Sequence, residues 1–324
     1  MDEPRDFEFL QRLLGRHAPC FYLPSINQCR YAFPSSFEWF LRASEVRCAR
    51  RGTLLRESVC PASLVETLED AAVEGIRLEL KSRSARFGDR TMDIDDIPIY
   101  ASIKAVCDEN GAIKAWELTY VTYFAFNGAY FFDLFGSHTG DIEHLTVRCH
   151  PDGRLSGVWY NSHRNVDGMW VAAPDVEIDS SGRLVSYVAA SGHGHYPREG
   201  RYWRHYGFAN DITSRDVRWL PKVVVWVEPG IVHPVMTTHA QDPQSNAERE
   251  TVRIEPIAPP RVDMDGTQAY IVHEKIISWG GAPGLGHQSW FRDKTEPTRS
   301  RAAYERFFTF PFHFLPPGEN CNEQ

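Results

Sequence analysis

The sequence lacks any long apolar run. No stretch approaches the roughly 18 consecutive apolar residues that a transmembrane helix needs, so we predict no transmembrane segment. Residues 1–16 interleave charged residues with Phe and Leu, which predicts a short amphipathic helix and not the unbroken apolar core of a secretory signal. We therefore expect a cytoplasmic protein.

Paired cysteines are also missing. The chain has 7 cysteines, an odd number, and they are widely spaced and never form a C-x-x-C pair. This pattern predicts neither a disulfide framework nor a cysteine zinc site. We interpret them as reduced thiols of an intracellular protein.

Positive charge is scarce. The chain has 35 Lys and Arg residues against 43 Asp and Glu residues, which gives a formal net charge of -8. No block of about five or six consecutive basic residues occurs. Nucleic-acid backbones and anionic membranes attract basic patches, so we predict no nucleic-acid partner. Local peripheral contact with a membrane stays open.

Aromatic residues are abundant, and 13% of the chain is Phe, Trp or Tyr, which favours the half-buried surfaces of β-sheets. A polar turn that ends in Gly separates two strand-like stretches three times. The predicted pairs are residues 97–106 with 113–126, 144–148 with 155–160, and 171–178 with 184–189. These signals predict a mainly β fold, an antiparallel β-sandwich with short N-terminal helices and long irregular loops.

The predicted helices all lie early in the chain. They cover residues 6–14, residues 37–43 with Ser36 as the cap, and residues 62–73. We therefore predict a helical segment, residues 1–75, packed on a β-sandwich domain, residues 76–324, as one integrated domain. The polar run 237–249 is interpreted as a surface loop within that domain.

Ionisable side chains concentrate in two short motifs. Residues 136–144 (GSHTGDIEH) hold His138, Asp141 and Glu143, and residues 191–197 (SGHGHYP) hold His193 and His195 on a glycine-rich loop. His163 lies between the two motifs. If residues 141–148 form a strand, Asp141 and Glu143 project from the same face, with Cα atoms roughly 6.5–7 Å apart.

This pattern predicts a cation or acid–base site. His138, Asp141 and Glu143 are the expected ligands of a divalent cation, because mixed carboxylate and imidazole sets bind such ions. Glu143, His163, His193 and His195 are the expected catalytic groups around a small molecule in a histidine-lined pocket. A simpler interpretation stays open, since single histidines at strand ends are more often surface residues or hydrogen-bonded core residues.

Other motifs are weaker candidates. Ser191 lacks the nucleophile elbow of a serine hydrolase, and the glycine-rich run 280–286 (GGAPGLG) lacks the Lys and helix of a phosphate loop. Cys149 is followed by His150, but neighbouring residues of a strand point to opposite faces. The glycine-rich run is interpreted as an irregular turn after Trp279.

The motifs resemble one family over nearly the whole chain. Residues 18–23 (APCFYL) and 33–41 (FPSSFEWFL) are similar to the opening of the vacuolar protein sorting-associated protein 62 family. The later matches follow in order: FNGA at 126–129, GDIEH at 140–144 against that family's GDWEH, Ser162-His163, HGH at 193–195, YPREG at 196–200 and Asn210-Asp211. Two positions depart from the family pattern, since Gln28-Cys29-Arg30 replaces an acidic residue and Ile142 replaces the Trp of GDWEH.

A more distant resemblance is to necrosis- and ethylene-inducing toxin-like proteins. Their GHRHDWE motif matches His138, Asp141 and Glu143 in spacing, and their His-Gly turn matches His193-Gly194. This resemblance implies a β-sandwich that holds a divalent cation.

We expect a cation-dependent or acid–base enzyme that catalyses hydrolysis, addition or elimination on a small molecule. The alternative is a module that binds a lipid headgroup, a glycan or a trafficking partner through the same site without a reaction. In a third interpretation the cluster is structural and joins loops together.

Overall fold

A computed structural model of the chain describes residues 7–48, 52–57, 76–107, 110, 112–128, 138–162, 164–190, 192–203, 210–228 and 231–236. Two α-helices and sixteen strands lie in these ranges. The helices are α1 (Phe7–Arg16) and α2 (Phe37–Arg42). The strands are β1 (Cys20–Leu23), β2 (Ser44–Cys48), β3 (Leu54–Arg56), β4 (Ile76–Leu80), β5 (Ile99–Cys107), β6 (Ile113–Asn127), β7 (His138–Cys149), β8 (Leu155–Ser162), β9 (Arg164–Ala172), β10 (Val185–Val188), β11 (His195–Tyr196), β12 (Gly200–Tyr202), β13 (Asp211–Thr213), β14 (Val217–Trp219), β15 (Val223–Glu228) and β16 (Ile231–Met236).

The largest sheet has seven strands in the order β16-β15-β5-β6-β7-β8-β9. Strands β5 to β9 form an antiparallel meander, and β15 joins its edge parallel to β5. The predicted turn between β7 and β8 forms at Gly153, which has a φ of 85° and donates its N–H to the His150 carbonyl at 2.8 Å. Only glycine adopts this left-handed conformation readily, so the turn residue fixes the hairpin.

A four-stranded sheet in the order β11-β10-β1-β14 packs against the meander. One hydrophobic core joins the two layers, because buried residues of both sheets belong to the same cluster. The seven-stranded sheet contributes Leu118, Tyr120, Phe124, Leu145, Val147, Val158 and Tyr160, and the four-stranded sheet contributes Phe21, Leu23, Val188 and Trp219. The mainly β sandwich is therefore confirmed, with two parallel strand pairs, β1 with β10 and β5 with β15, among the antiparallel ones.

Both helices that fall in the described ranges match the sequence prediction. In α1 the buried residues Leu10, Leu13 and Leu14 form one apolar stripe that faces the core. In α2 the Ser36 hydroxyl accepts a hydrogen bond from the Trp39 N–H at 3.1 Å and caps the first turn. Across the described part of the chain, no helix has the length and apolar character needed to cross a membrane.

The first 75 residues contribute strands as well as helices. Strand β1 lies inside the four-stranded sheet, and β2 and β3 form a separate three-stranded sheet with β4, which begins at Ile76. The Ser35 N–H donates to the Tyr123 carbonyl at 2.9 Å, so this region is bonded directly to the meander. The boundary at residue 75 stays a prediction, and the predicted helix 62–73 and loop 237–249 lie outside the described residues.

The third predicted hairpin forms only next to its turn. Strand β9 ends at Ala172, because a 3-10 helix at Ala173–Asp175 with Pro174 in its first turn interrupts the extended chain. Across the turn at Gly182, Ile178 and Leu184 form an isolated antiparallel bridge, and the N–H groups of Asp179 and Val185 donate to the Arg183 and Glu177 carbonyls, each at 2.8 Å. Strand β10 pairs instead with β1 and β11 in the other sheet.

The cap of α2 gives a first testable prediction. We expect Ser36→Ala to lower the free energy of unfolding by about 1 kcal/mol, because the Trp39 N–H loses its acceptor at a buried helix start. Urea denaturation followed by circular dichroism measures the change. Ser36→Thr keeps a hydroxyl and serves as the control; equal losses in both variants would contradict a capping role.

Candidate functional site

Asp141 and Glu143 project from the inner face of β7, towards the four-stranded sheet. They share the side of the strand with the core residue Leu145 and lie opposite Phe124 and Thr122 of β6. Both carboxyl side chains are buried. The alternation of a strand places them on the same face, as the spacing predicted, while His144 points to the other face and contacts Asn161.

The loop that carries His193 has an unusual backbone. His193 has a φ of 49°, and it is the one non-glycine residue with positive φ in the described ranges. Its neighbour Gly192 also has positive φ and donates its N–H to the Asn127 side chain at 3.1 Å. A Cβ atom at Gly194 would lie 3.0 Å from the Ser162 Cβ. The two glycines thus allow a tight loop that turns the imidazole inward, at a conformational cost typical of functional sites.

His193 forms an ion pair with Asp141. Its Nδ1 donates to Asp141 Oδ2 at 2.8 Å, and both side chains are buried. The ring stacks on Phe124 with 4.0 Å between centroids and 6° between planes. Burial alone would lower the pKa of His193, but the hydrogen bond to the Asp141 carboxylate, with a smaller effect of Cys29, raises it to about 10. The ring is therefore an imidazolium at neutral pH.

The second nitrogen of His193 faces a different environment. Nε2 is buried and makes no hydrogen bond of normal geometry with any described residue. The Cys29 thiol lies beside the ring, and its interaction with the imidazolium contributes to the raised pKa of His193. Because Asp141 occupies Nδ1, Nε2 is the nitrogen left to face the thiol or a ligand.

His195 lies two residues away in the opposite charge state. Its Nε2 and Nδ1 are hydrogen-bonded to the Thr122 hydroxyl at 3.0 Å and to the Ser186 hydroxyl at 2.9 Å. Burial, and then the nearby positive charge of His193, lower the pKa of His195 to about 3. Both nitrogens of this neutral ring are engaged, so His195 links β11 to β6 and β10. Environment thus separates the pKa values of the two histidines, a pattern that separates roles in catalytic sites.

The structure brings four of the predicted residues to one place. Asp141 and His193 are in direct contact, and Thr122, which bonds His195, also lies within 3.4 Å of the Glu143 carbonyl. The backbone of His138 pairs with Asn127 at the start of β7, and its side chain lies outside the described part. His163 lies outside it altogether.

No three side chains of His, Cys, Asp or Glu among the described residues are placed to hold a metal ion. Asp141 Oδ2 is bonded to His193, and the side chain of His138 lies outside the described part of the chain. The divalent cation at His138, Asp141 and Glu143 therefore stays a prediction.

Cys149 lies in a setting that disfavours a nucleophile. It belongs to the hydrophobic core, and burial raises the pKa of its thiol to about 12. Ser191 and the glycine run 280–286 lie outside the described residues.

Sequence reasoning missed several residues of the site. Phe124, Thr122 and Ser186 are ordinary strand residues, and no sequence signal marks them as partners of the histidines. Cys29 had one signal, because it lies in the Gln28-Cys29-Arg30 stretch where the family pattern has an acidic residue. Its position beside His193 depends on a contact between residues far apart in the chain.

The comparison with protein families gave one match. The model of the family described as vacuolar protein sorting-associated protein 62 matches residues 6–215. The searches of curated proteins and of solved structures returned no match. The resemblance to necrosis- and ethylene-inducing toxin-like proteins and the cytoplasmic location stay predictions. The matched range contains Cys29, Asp141, His193 and His195 and covers more than half of the chain, so the protein belongs to the vacuolar protein sorting-associated protein 62 family.

Proposed function

We propose that this protein is a hydrolytic enzyme in which His193, oriented by Asp141, transfers protons to and from a small-molecule substrate. The observation that carries the proposal is the buried Asp141–His193 pair, in which Nδ1 is bonded and Nε2 is left for another group. This arrangement, a histidine held by a carboxylate through one nitrogen, is the usual way to orient an acid–base imidazole.

The charge state of His193 decides its first role. Because its pKa is about 10, the ring begins the reaction as a proton donor. In hydrolysis, water bonds to the electrophilic centre of the substrate as the bond to the leaving group breaks. Nε2 gives its proton to that leaving group, and the neutral ring then takes the proton that the added water releases. Asp141 holds the ring in position through both steps and stabilises its charged form.

The same donor supports a second function, the binding of a ligand without a reaction. A buried imidazolium N–H attracts an anionic acceptor, which fits a lipid headgroup, an acidic glycan or a trafficking partner. The proposed reaction is written with this chain's own side chains and water.

An activity screen tests the proposal. Purified protein is offered nitrophenyl esters, phosphoesters and glycosides, with and without a chelator. His193→Gln, which keeps a polar side chain of similar length, is expected to lower kcat by about 10²–10⁴-fold on any substrate that is turned over. His150→Gln is the matched control, because His150 lies at an exposed turn.

The outcomes separate the two functions. Full activity in a folded His193→Gln variant would contradict the proposed role of His193. No turnover, combined with vesicle binding that His193→Gln abolishes, would favour the binding function. If the chelator abolishes the activity of the wild type and His193→Gln does not, the result would instead support the predicted cation at Glu143.

A further inference from the structure

The His193 ring lies between two groups that are remote in sequence. Asp141 of β7 bonds one nitrogen, and Cys29, in the loop between β1 and α2, lies beside the ring. We propose that Cys29 is the nucleophile of this site and that the substrate is an acyl compound, such as an ester, a thioester or an amide. This inference rests on the proposed function, because it requires His193 to act as the acid–base group.

The order of the three groups supports the assignment. A nucleophile, a base that can reach it and a third group that orients the base define nucleophilic catalysis on many folds. Here His193 Nδ1 is held by Asp141 at 2.8 Å, so the nitrogen that remains for the thiol is Nε2. That nitrogen is buried and has no hydrogen-bond partner of normal geometry among the described residues. A nitrogen that exchanges a proton with a nucleophile or a substrate is expected to lack another partner.

Cys29 also differs from the other two buried free cysteines. Cys20 and Cys149 have no exposed surface, and burial raises the pKa of each thiol to about 12, so both are inert. Cys29 is 9% exposed to solvent. It lies in a turn outside the strands, where its N–H donates to the Ser25 carbonyl.

The chemistry balances without a further reactant except water. The Cys29 sulfur attacks the carbonyl carbon of the substrate and forms a thioester, while the bond to the leaving group breaks. His193 gives its Nε2 proton to that leaving group. Water then attacks the thioester, His193 accepts one of its protons, and the acid leaves as the Cys29 thiolate and the imidazolium are restored. One ester and one water thus give one acid and one alcohol.

The experiment traps the acyl intermediate. The full chain is mixed with p-nitrophenyl acetate at neutral pH, quenched in acid and digested, and the peptide that contains Cys29 is examined by mass spectrometry. We expect one acetyl group on Cys29 in the wild type and none on Cys20 or Cys149. Cys29→Ala is expected to lower hydrolysis at least 100-fold, and His193→Gln to slow acetylation at least tenfold. Cys20→Ala is the matched control and is expected to keep its activity.

The variants distinguish this inference from the proposed function. If Cys29→Ala keeps full activity while His193→Gln loses it, the nucleophile is wrong and the acid–base proposal stands. If both keep full activity, both proposals are wrong.

Alkylation replaces the variant if Cys29→Ala does not fold. Iodoacetamide is expected to modify Cys29 in the wild type at least tenfold faster than Cys20, and activity is expected to fall in proportion to that modification. Equal alkylation rates, or full activity after Cys29 is modified, would overturn the inference. Absence of any acetylated enzyme would do so as well.

Discussion

Asp141→Ala is expected to lower the free energy of unfolding by about 3 kcal/mol near neutral pH. The reason is the buried position of His193, whose positive charge is stabilised by the Asp141 carboxylate at 2.8 Å. Removal of that carboxylate leaves a charge in an apolar setting against Phe124, and the ring must release its proton or remain uncompensated. A histidine can release its proton, so the loss lies at the lower end of the range for broken buried pairs.

The pH dependence of this loss follows from the direction of the pKa change. The pKa of His193 is raised from 6.5 to about 10 in the folded protein. Its contribution to stability is therefore fully present below about pH 6.5 and is lost as the pH rises through about 10. In Asp141→Ala this contribution is absent, so the difference between wild type and variant is expected to shrink as the pH rises.

Urea denaturation across the pH window from 6.5 to about 10 measures this difference. Asp141→Asn is the matched control, because it keeps an acceptor for Nδ1 but removes the charge, and it is expected to show the same loss of pH dependence. A difference that stays constant between the two ends of the window would show that His193 is not charged in the folded protein. A structural role alone would predict the stability change with no effect on any activity.

The meander could be predicted from the sequence because its signals are local. Strands β6, β7 and β8 show alternation or apolar runs next to a glycine turn, and Ser36 marks the start of α2 three residues before its bonded N–H. Each of these features depends on residues a few positions apart. The seven-stranded order follows in large part from such neighbours pairing with one another.

The second sheet could not be predicted in the same way. Strand β1 pairs with β10 through Cys20 and Val185, which are far apart in the sequence, and the pairing is parallel. The residues near either strand do not indicate which strand it pairs with. The pairing depends on which apolar surfaces the whole chain can bury. The local turn at Gly182 therefore predicted a long hairpin, of which the sandwich forms only the part next to the turn.

The candidate site shows the same division between local and distant information. Strand alternation correctly placed Asp141 and Glu143 on one face. It could not separate His193 from His195, which lie in one short motif, because their partners come from β6, β7 and β10. A carboxylate raises the pKa of His193, and burial with the nearby charge of His193 lowers the pKa of His195. The difference between the two rings therefore arises from tertiary contacts.

On the outer face of the meander, a buried ion pair gives a second large expected effect. Glu117 of β6 lies directly opposite Arg148 of β7, and both the Nε and Nη2 atoms of Arg148 donate to Glu117 Oε1. Their side chains are only 2% and 8% exposed, and the Trp170 ring lies 5.8 Å from the guanidinium carbon. We expect Arg148→Met to lower the free energy of unfolding by about 3–5 kcal/mol, because it removes the cation that faces a buried carboxylate.

A double-mutant cycle separates the pair from its surroundings. Glu117→Leu alone is expected to cost a similar amount, because the buried guanidinium then loses the Glu117 carboxylate. The double variant Glu117→Leu with Arg148→Met replaces both charges by apolar groups of similar volume, so it is expected to lie much closer to the wild type than either single variant. Urea denaturation of the four proteins gives the coupling energy. Additive losses would mean that the two charges are stabilised independently, by water or by other groups, and that the cross-strand contact is not the source of their stability.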